Sequence, residues 1–198
     1  MRRATAQGRR DRRLIAGILL AAGRSSRFGR QKLLESWAGQ PLVRHSAEVF
    51  LGAGLAPLVA VVSTDPALRR ALDGLALLLV ENPTPETGIS RSIALGIAAV
   101  PAQADAALIG VADQPHLTAS GLRSLMDAFR PGTMVVPRYG DHRGNPVLFD
   151  RRFFGELERL SGDRGGQRLI AAHPAAAIEV ALPQAMGIDV DRPEEWPS

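Results

Sequence analysis

The stretch Leu14-Ile15-Ala16-Gly17-Ile18-Leu19-Leu20-Ala21-Ala22-Gly23-Arg24-Ser25-Ser26-Arg27-Phe28-Gly29-Arg30-Gln31-Lys32 decides the fold. Its first nine residues form an apolar run with no polar alternation, as in a strand buried on both faces of a parallel sheet. The run then enters a loop of glycine, serine and arginine at the carboxyl end of the strand, where open α/β sheets bind ligands. Ala21, Ala22 and Gly23 are small enough to let a ligand approach the backbone. Ser25 and Ser26 offer hydroxyls, and Arg24, Arg27, Arg30 and Lys32 surround them with cations, so the loop reads as a phosphate cradle. It has neither the Gly-Lys-Ser/Thr ending of a Walker loop nor the Gly-x-Gly-x-x-Gly of dinucleotide folds. A flexible surface turn, made soluble by arginine, is the alternative.

Outward from this stretch, strand and helix patterns alternate. Val43, Ala47, Phe50 and Leu51 share one helical face. Residues 58–62 read as a strand, 66–72 as a helix entered through Ser63-Thr64-Asp65 and Pro66, and 75–80 as a third strand. Ile89, Ile93, Ile97 and Val100 line another helix, followed by a strand at 106–112 and a helix carrying Leu122, Leu125, Met126 and Phe129. The expected fold is a Rossmann-like three-layer α/β sandwich with a predominantly parallel sheet. After residue 130, apolar segments at 134–137 and 147–149 flank a turn-rich stretch and read as a hairpin or insertion. Helical patterns at Phe153, Leu157 and Leu160 and near 167–172 follow, with short strands expected at 178–180 and 188–190.

The 198 residues fit one domain, expected over 14–198. With no cysteine, thiol redox chemistry, thiolate metal sites and disulfides are excluded, which fits a reducing compartment. The run at 14–22 is far shorter than the roughly 20 residues of a membrane span, and no secretory signal is recognisable. A soluble, cytoplasmic protein without a membrane partner is expected. The high pI comes from residues 1–13, where six arginines stand against Asp11 for a net +5, leaving −1 for the rest. Such a tail, without aromatic or branched aliphatic residues to bury, is expected to be disordered. A solubilising arm or an upstream start is favoured over nucleic-acid binding. All basic residues are arginine except Lys32, and a compact ammonium and a planar fork meet phosphate differently.

Asp113, in Ile109-Gly110-Val111-Ala112-Asp113-Gln114-Pro115, closes an apolar strand at its carboxyl end. A carboxylate placed there needs a partner, and a hard divalent cation shared with substrate phosphates is a suitable one; a cap before Thr118 is the alternative. Asp189 and Asp191 repeat the arrangement in Gly187-Ile188-Asp189-Val190-Asp191-Arg192-Pro193, where Asp191 would also cap a terminal helix. His45, His116 and His173 are scattered and read as surface or core-edge residues, and Trp37 and Trp196 as packing residues. Asp163-Arg164-Gly165-Gly166 reads equally as a substrate loop or a glycine-rich helix entry.

Taken in order, several segments resemble the nucleotidyltransferases of molybdenum-cofactor maturation, over about residues 15 to 196. They are Leu20-Ala21-Ala22-Gly23 with Ser25, Arg27, Gly29 and Lys32; Asn82-Pro83 with Gly88 and Ser92; Ala112-Asp113-Gln114-Pro115; Arg143-Gly144-Asn145-Pro146-Val147-Leu148-Phe149; and Ile188-Asp189-Val190-Asp191-Arg192-Pro193-Glu194. Ala21-Ala22-Gly23, in place of an Ala-Gly-Gly type, is similar to the cytidylyltransferase branch. The resemblance implies a sheet of the nucleotide-diphospho-sugar transferase type that binds CTP or another NTP with Mg²⁺, and a phosphorylated acceptor such as molybdopterin. A molybdoenzyme or chaperone would be the protein partner. By motif position Arg27 and Lys32 would hold the triphosphate, Ala22 and Gly23 would face the nucleotide, and Asp113 would bind metal with Asp189 as second ligand. Leu20, Ala21, Ser25, Gly88, Ser92, Gly144 and Asn145 would complete the binding surface. Two departures stand out: Phe28 where methionine is usual, and Gly144-Asn145-Pro146 where Gly-His-Pro is usual, which bears on the acceptor.

The implied reaction is attack by the acceptor phosphate on the α-phosphorus of CTP with release of pyrophosphate. Three other readings stay open. One is transfer to a sugar or alcohol phosphate. Another is an NAD(P)H-dependent reductase, since some relatives on this scaffold reduce a nicotine-derived blue pigment. The third is a nucleic-acid binder using the tail.

Overall fold

The computed structural model describes residues 13–23, 25, 28–162 and 165–190. The chain runs from β1 (Ile15–Ala21) through a short antiparallel pair, β2 (Ser36–Trp37) and β3 (Gln40–Pro41), into α1 (Leu42–Gly52) and β4 (Leu58–Val62). Then come α2 (Pro66–Ala71), β5 (Leu78–Glu81), α3 (Ile89–Ala98), β6 (Ala106–Val111) and α4 (Ala119–Ala128). The last part holds β7 (Met134–Tyr139), β8 (His142–Arg143), β9 (Val147–Asp150), α5 (Phe154–Glu158), α6 (Gln167–Ala172) and β10 (Ala177–Leu182).

The main sheet has the order β10-β7-β9-β6-β1-β4-β5, with β8 paired to β7. β1 lies parallel to both β4 and β6, and β4–β5 and β10–β7 are also parallel. The antiparallel members are β9, against both β6 and β7, and the short β8. The sheet is therefore the predominantly parallel Rossmann-like one expected. Every residue of β1 and β4 is buried, which is why both read as unbroken apolar runs.

The pleat sends alternate side chains of these strands into two cores. Ile15, Leu19 and Ala21 join Leu58, Ala60 and Val62 against α1, α2 and α4. Ile18 and Leu20 join Val59, Val61 and Ile109 against α3, α5 and α6. Close approach of α3 depends on Gly96, where a Cβ would stand 2.6 Å from Ile18 Cγ2. The helix starts follow the local signals: Asp65 Oδ1 accepts from Ala67 N at 2.8 Å, with Pro66 at the first turn, and Thr118 Oγ1 accepts from Gly121 N at 3.2 Å.

Two expectations need correction, and a third is decided between its alternatives. The strand expected at 75–80 begins only at Leu78, because residues 75–77 close the turn after α2, with Leu75 N donating to Leu72 O. Of the hairpin and insertion readings the hairpin holds, since β7 and β9 pair antiparallel around the turn-rich stretch and β9 sits inside the sheet between β6 and β7. Residues 188–190 form no strand; Val190 N instead donates to Asp113 O at 3.0 Å. Residues 1–12 of the basic tail lie outside the described residues, whereas Arg13 donates from Nη1 to Phe129 O at 2.8 Å. Among the described residues no helix is long and apolar enough to cross a membrane.

Candidate active site

β1 is the topological switch point, since the chain leaves it toward β4 and β5 on one side and returns to β6 on the other. The crevice beyond its carboxyl end is where such sheets hold ligands, and Ala112 N donating to Leu20 O at 3.1 Å ties the two strand ends together. The described residues between β1 and the 3-10 turn at Lys32 are tied together by side-chain bonds. Ser25, at φ 49°, donates from Oγ to Gln31 Oε1 at 2.9 Å and accepts from Lys32 N at 3.2 Å. Gln31 Nε2 donates to Gly23 O at 3.2 Å. Phe28 and Leu33 are both buried, and the Arg30 guanidinium lies 5.8 Å from the centre of the Phe28 ring. Gln31 was not singled out from the sequence; a polar residue in a turn carries no periodicity to reveal it.

Lys32, 8% exposed, reaches across to the end of β6. Its Nζ donates to Asp113 Oδ2 at 2.7 Å and to Val190 O at 2.8 Å. Asp113 Oδ1 is buried without a hydrogen-bond partner. The cap alternative for Asp113 gives way, since Thr118 caps α4 itself. Asp189 is exposed, and its charge acts on the Tyr139 phenol, whose pKa is raised first by burial and second by Asp189. Arg24, Ser26 and Arg27 of the cradle, Asp163 and Arg164, and Asp191 with Trp196 lie outside the described residues.

Two neighbouring cavities open at this end of the sheet. The smaller, about 260 Å³, is lined by Ala22, Gly23, Ser25, Lys32, Gly88, Ser92 and Asp113 among others. Gly88, at φ 104°, turns the chain into α3 in a conformation that side-chain-bearing residues rarely adopt. The fully buried Asn82 fixes the same wall, donating from Nδ2 to Ser92 Oγ at 2.9 Å and accepting from Thr84 N at 3.0 Å. The larger cavity, about 450 Å³, shares Leu20, Ile89 and Val111 with the first. Among the described residues its remaining walls are mostly apolar, with Arg143, Asn145 and Gln167 as polar side chains and Gly144, Gly165 and Gly166 as backbone edges. Arg143 is ion-paired to Glu179 at 2.6 Å. Ala21 is buried in β1 and stands behind the site. Of the histidines, His116 packs edge-on against Trp37 and His173 pairs with Glu156 at 3.0 Å.

Among the described residues no group of three His, Asp or Glu side chains gathers. A cation held here would take few protein ligands and draw the rest from substrate oxygens and water, which is the habit of Mg²⁺. The buried, unpartnered Asp113 Oδ1 is suited to that role.

A mostly parallel sheet, with an ammonium and a carboxylate meeting beyond the carboxyl ends of β1 and β6, defines a Rossmann-like domain with a cleft at its switch point. The chain belongs to the MobA-like NTP transferase domain family, whose pattern matches residues 17–177. It is 28% identical to the nicotine blue oxidoreductase of Paenarthrobacter nicotinovorans, over 95% of this chain and 97% of that one. It is 30% identical to the probable molybdenum cofactor guanylyltransferase of Opitutus terrae, over 80% of this chain and 78% of that one. Among solved structures it is similar to Rv0371c from Mycobacterium tuberculosis H37Rv, with 29% identity, a TM-score of 0.82, and 91% and 94% of the two chains covered. A manganese complex of Rv0371c aligns with a TM-score of 0.76, at 29% identity over 91% of this chain and 95% of that one.

Proposed function

We propose that this protein transfers a nucleotidyl group, CMP from CTP, to a phosphorylated acceptor of the molybdopterin kind and releases pyrophosphate. The observation that carries the reading is the meeting of Lys32 and Asp113 on the wall of a small cavity, with a larger, mostly apolar cavity beside it. The smaller cavity suits the triphosphate, and the larger one the acceptor body. A polyol or sugar would ask for hydrogen-bonding side chains on every wall, whereas this cavity offers apolar faces and a few polar edges, which suit a flat ring system.

The acceptor phosphate is already largely dianionic near neutral pH, since a phosphomonoester has its second pKa at about 6. One of its oxygens forms the new bond to the α-phosphorus, and the bond from that phosphorus to the oxygen bridging the β-phosphate breaks, so that pyrophosphate leaves with the electron pair. No general base is required, and the protein's work is alignment and charge neutralisation. Lys32 offsets the charge growing on the leaving pyrophosphate, and Arg27 shares that task by its place in the motif. Asp113 would hold Mg²⁺, with Asp189 as second ligand; the ion supplies positive charge to the phosphate oxygens. The backbone at Ala22 and Gly23 meets the nucleotide, aided by Ser25, Gly88 and Ser92, while Gly144 and Asn145 meet the acceptor.

Thermal stabilisation by CTP, GTP, ATP and UTP with Mg²⁺ ranks the bases, because a ligand bound only to the folded state raises its stability by mass action. CTP is expected to stabilise most, followed by pyrophosphate release with molybdopterin. A larger shift with GTP would move the protein to the guanylyl branch, and no shift with any nucleotide would sink the reading. The similarity to nicotine blue oxidoreductase supports a second reading, an NAD(P)H-dependent reductase. Against it, β1 leads through the loop into a 3-10 turn at Lys32–Leu34, unlike the Gly-rich entry of dinucleotide folds, where a helix start meets the pyrophosphate. NADPH oxidation would decide for it.

A further inference from the structure

Tyr139, at the end of β7, is 1% exposed and is used by none of the roles above. Its hydroxyl donates to Asn145 O at 2.6 Å. Its ring lies so close to two glycines that a Cβ on Gly144 would come within 2.9 Å of it, and one on Gly187 within 2.4 Å. Gly144 and Asn145 form an edge of the larger cavity. Gly187 opens the segment that ends at Val190, whose carbonyl holds Lys32 and whose N–H is bonded to Asp113 O. A phenylalanine would fill the same space, so core packing alone gives no reason for a hydroxyl here. The hydroxyl's partner is the carbonyl on the cavity rim.

We infer that Tyr139 is a positioning residue for the acceptor: its hydroxyl sets the cavity edge at Gly144 and Asn145, and its ring braces that edge against the segment holding Lys32. The inference rests on the nucleotidyl-transfer reading above. It predicts a split that a purely structural tyrosine would not produce, because losing the hydroxyl frees the acceptor edge while leaving the ring, and with it the Lys32 side, in place.

The test compares the full chain with its Tyr139→Phe variant. Amide hydrogen exchange is expected to rise about tenfold or more at Gly144, whose N–H donates to Pro137 O at 3.2 Å, while β1 and β6 stay protected. The KM for molybdopterin is expected to rise about tenfold, with kcat and the Kd of magnesium CTP unchanged. Unchanged exchange at Gly144 would overturn the inference. So would faster exchange with an unaltered KM, or a fall in Tm accompanied only by a smaller active fraction. If the wild-type chain releases no pyrophosphate with molybdopterin, the acceptor reading falls, and the exchange measurement alone then decides whether Tyr139 sets this edge.

Discussion

Lys32 and Asp113, separated by 81 positions in the chain, meet in a 2.7 Å ion pair beyond the carboxyl ends of β1 and β6. Neither partner is fully exposed, with side chains 11% and 24% accessible. The pair is desolvated enough to fix both groups and keeps partial access to solvent. Carboxylate and ammonium orient one another, and Val190 O supplies a further acceptor that fixes the ammonium.

Asp113→Ala is expected to abolish nucleotidyl transfer while the fold persists. Removing the carboxylate leaves an ammonium mostly out of water. Since the pair keeps some exposure, the cost should be about 1–3 kcal/mol, below that of breaking a fully buried pair. Circular dichroism and pyrophosphate release measured together check this. Wild-type turnover in the variant would remove Asp113 from the site. Addition of EDTA should likewise erase the stabilisation by CTP.

Lys32→Ala is expected to slow transfer by about 10²-fold or more, as loss of a charge-stabilising group does elsewhere. Lys32→Arg should also impair. One nitrogen now serves both Asp113 Oδ2 and Val190 O, and a planar fork cannot place a donor at the same point. Single-turnover rates at saturating CTP separate this from weaker binding. A fully active Lys32→Arg variant would contradict the role assigned to a compact charge.

At Gly166 an added methyl would stand 2.6 Å from Phe149 Cζ, on the wall of the larger cavity. Gly166→Ala should therefore push the Phe149 ring into that cavity and raise the acceptor KM severalfold, leaving the Kd for CTP alone. Calorimetric titration of CTP beside steady-state kinetics in acceptor tests the division of labour between the two cavities. A loss confined to CTP binding would reverse it.

Burial and the neighbouring Asp189 charge keep Tyr139 protonated to higher pH than in the unfolded chain, where a phenol titrates near 10. Below about pH 10 this contribution to stability is fully present. Above it the unfolded state binds fewer protons than the native state, so the unfolding free energy falls as pH rises. The chain has one tyrosine, so phenolate absorbance reports this residue alone. It should appear together with unfolding; ionisation near pH 10 in a still-folded protein would show the ring to be accessible.

The alternation of elements was readable because it depends on neighbours in the chain. β4 matches its expected bounds, and β1 and α3 lie within a residue or two of theirs. Where burial was incomplete, the pattern misled. The apolar pair Ile188 and Val190 imitates a strand, yet Ile188 is 49% exposed and the backbone at Val190 is bonded to Asp113 and Lys32 instead. Tyr139 reads from the sequence as part of the turn-rich stretch after 137, yet it ends β7, and nothing local shows that its hydroxyl reaches Asn145.

By itself the sequence determined the parallel α/β class, the cationic loop after β1 and the acid closing β6, since local periodicity and a strand's end are properties of consecutive residues. Only the tertiary structure decided that Lys32 pairs with Asp113, that the Val190 backbone, 158 positions from Lys32, holds the ammonium, and that β9 enters the sheet between β6 and β7. Those contacts depend on the order in which strands assemble. That order is set by burying both faces of the sheet at once, a condition on the whole chain that no short window of residues contains.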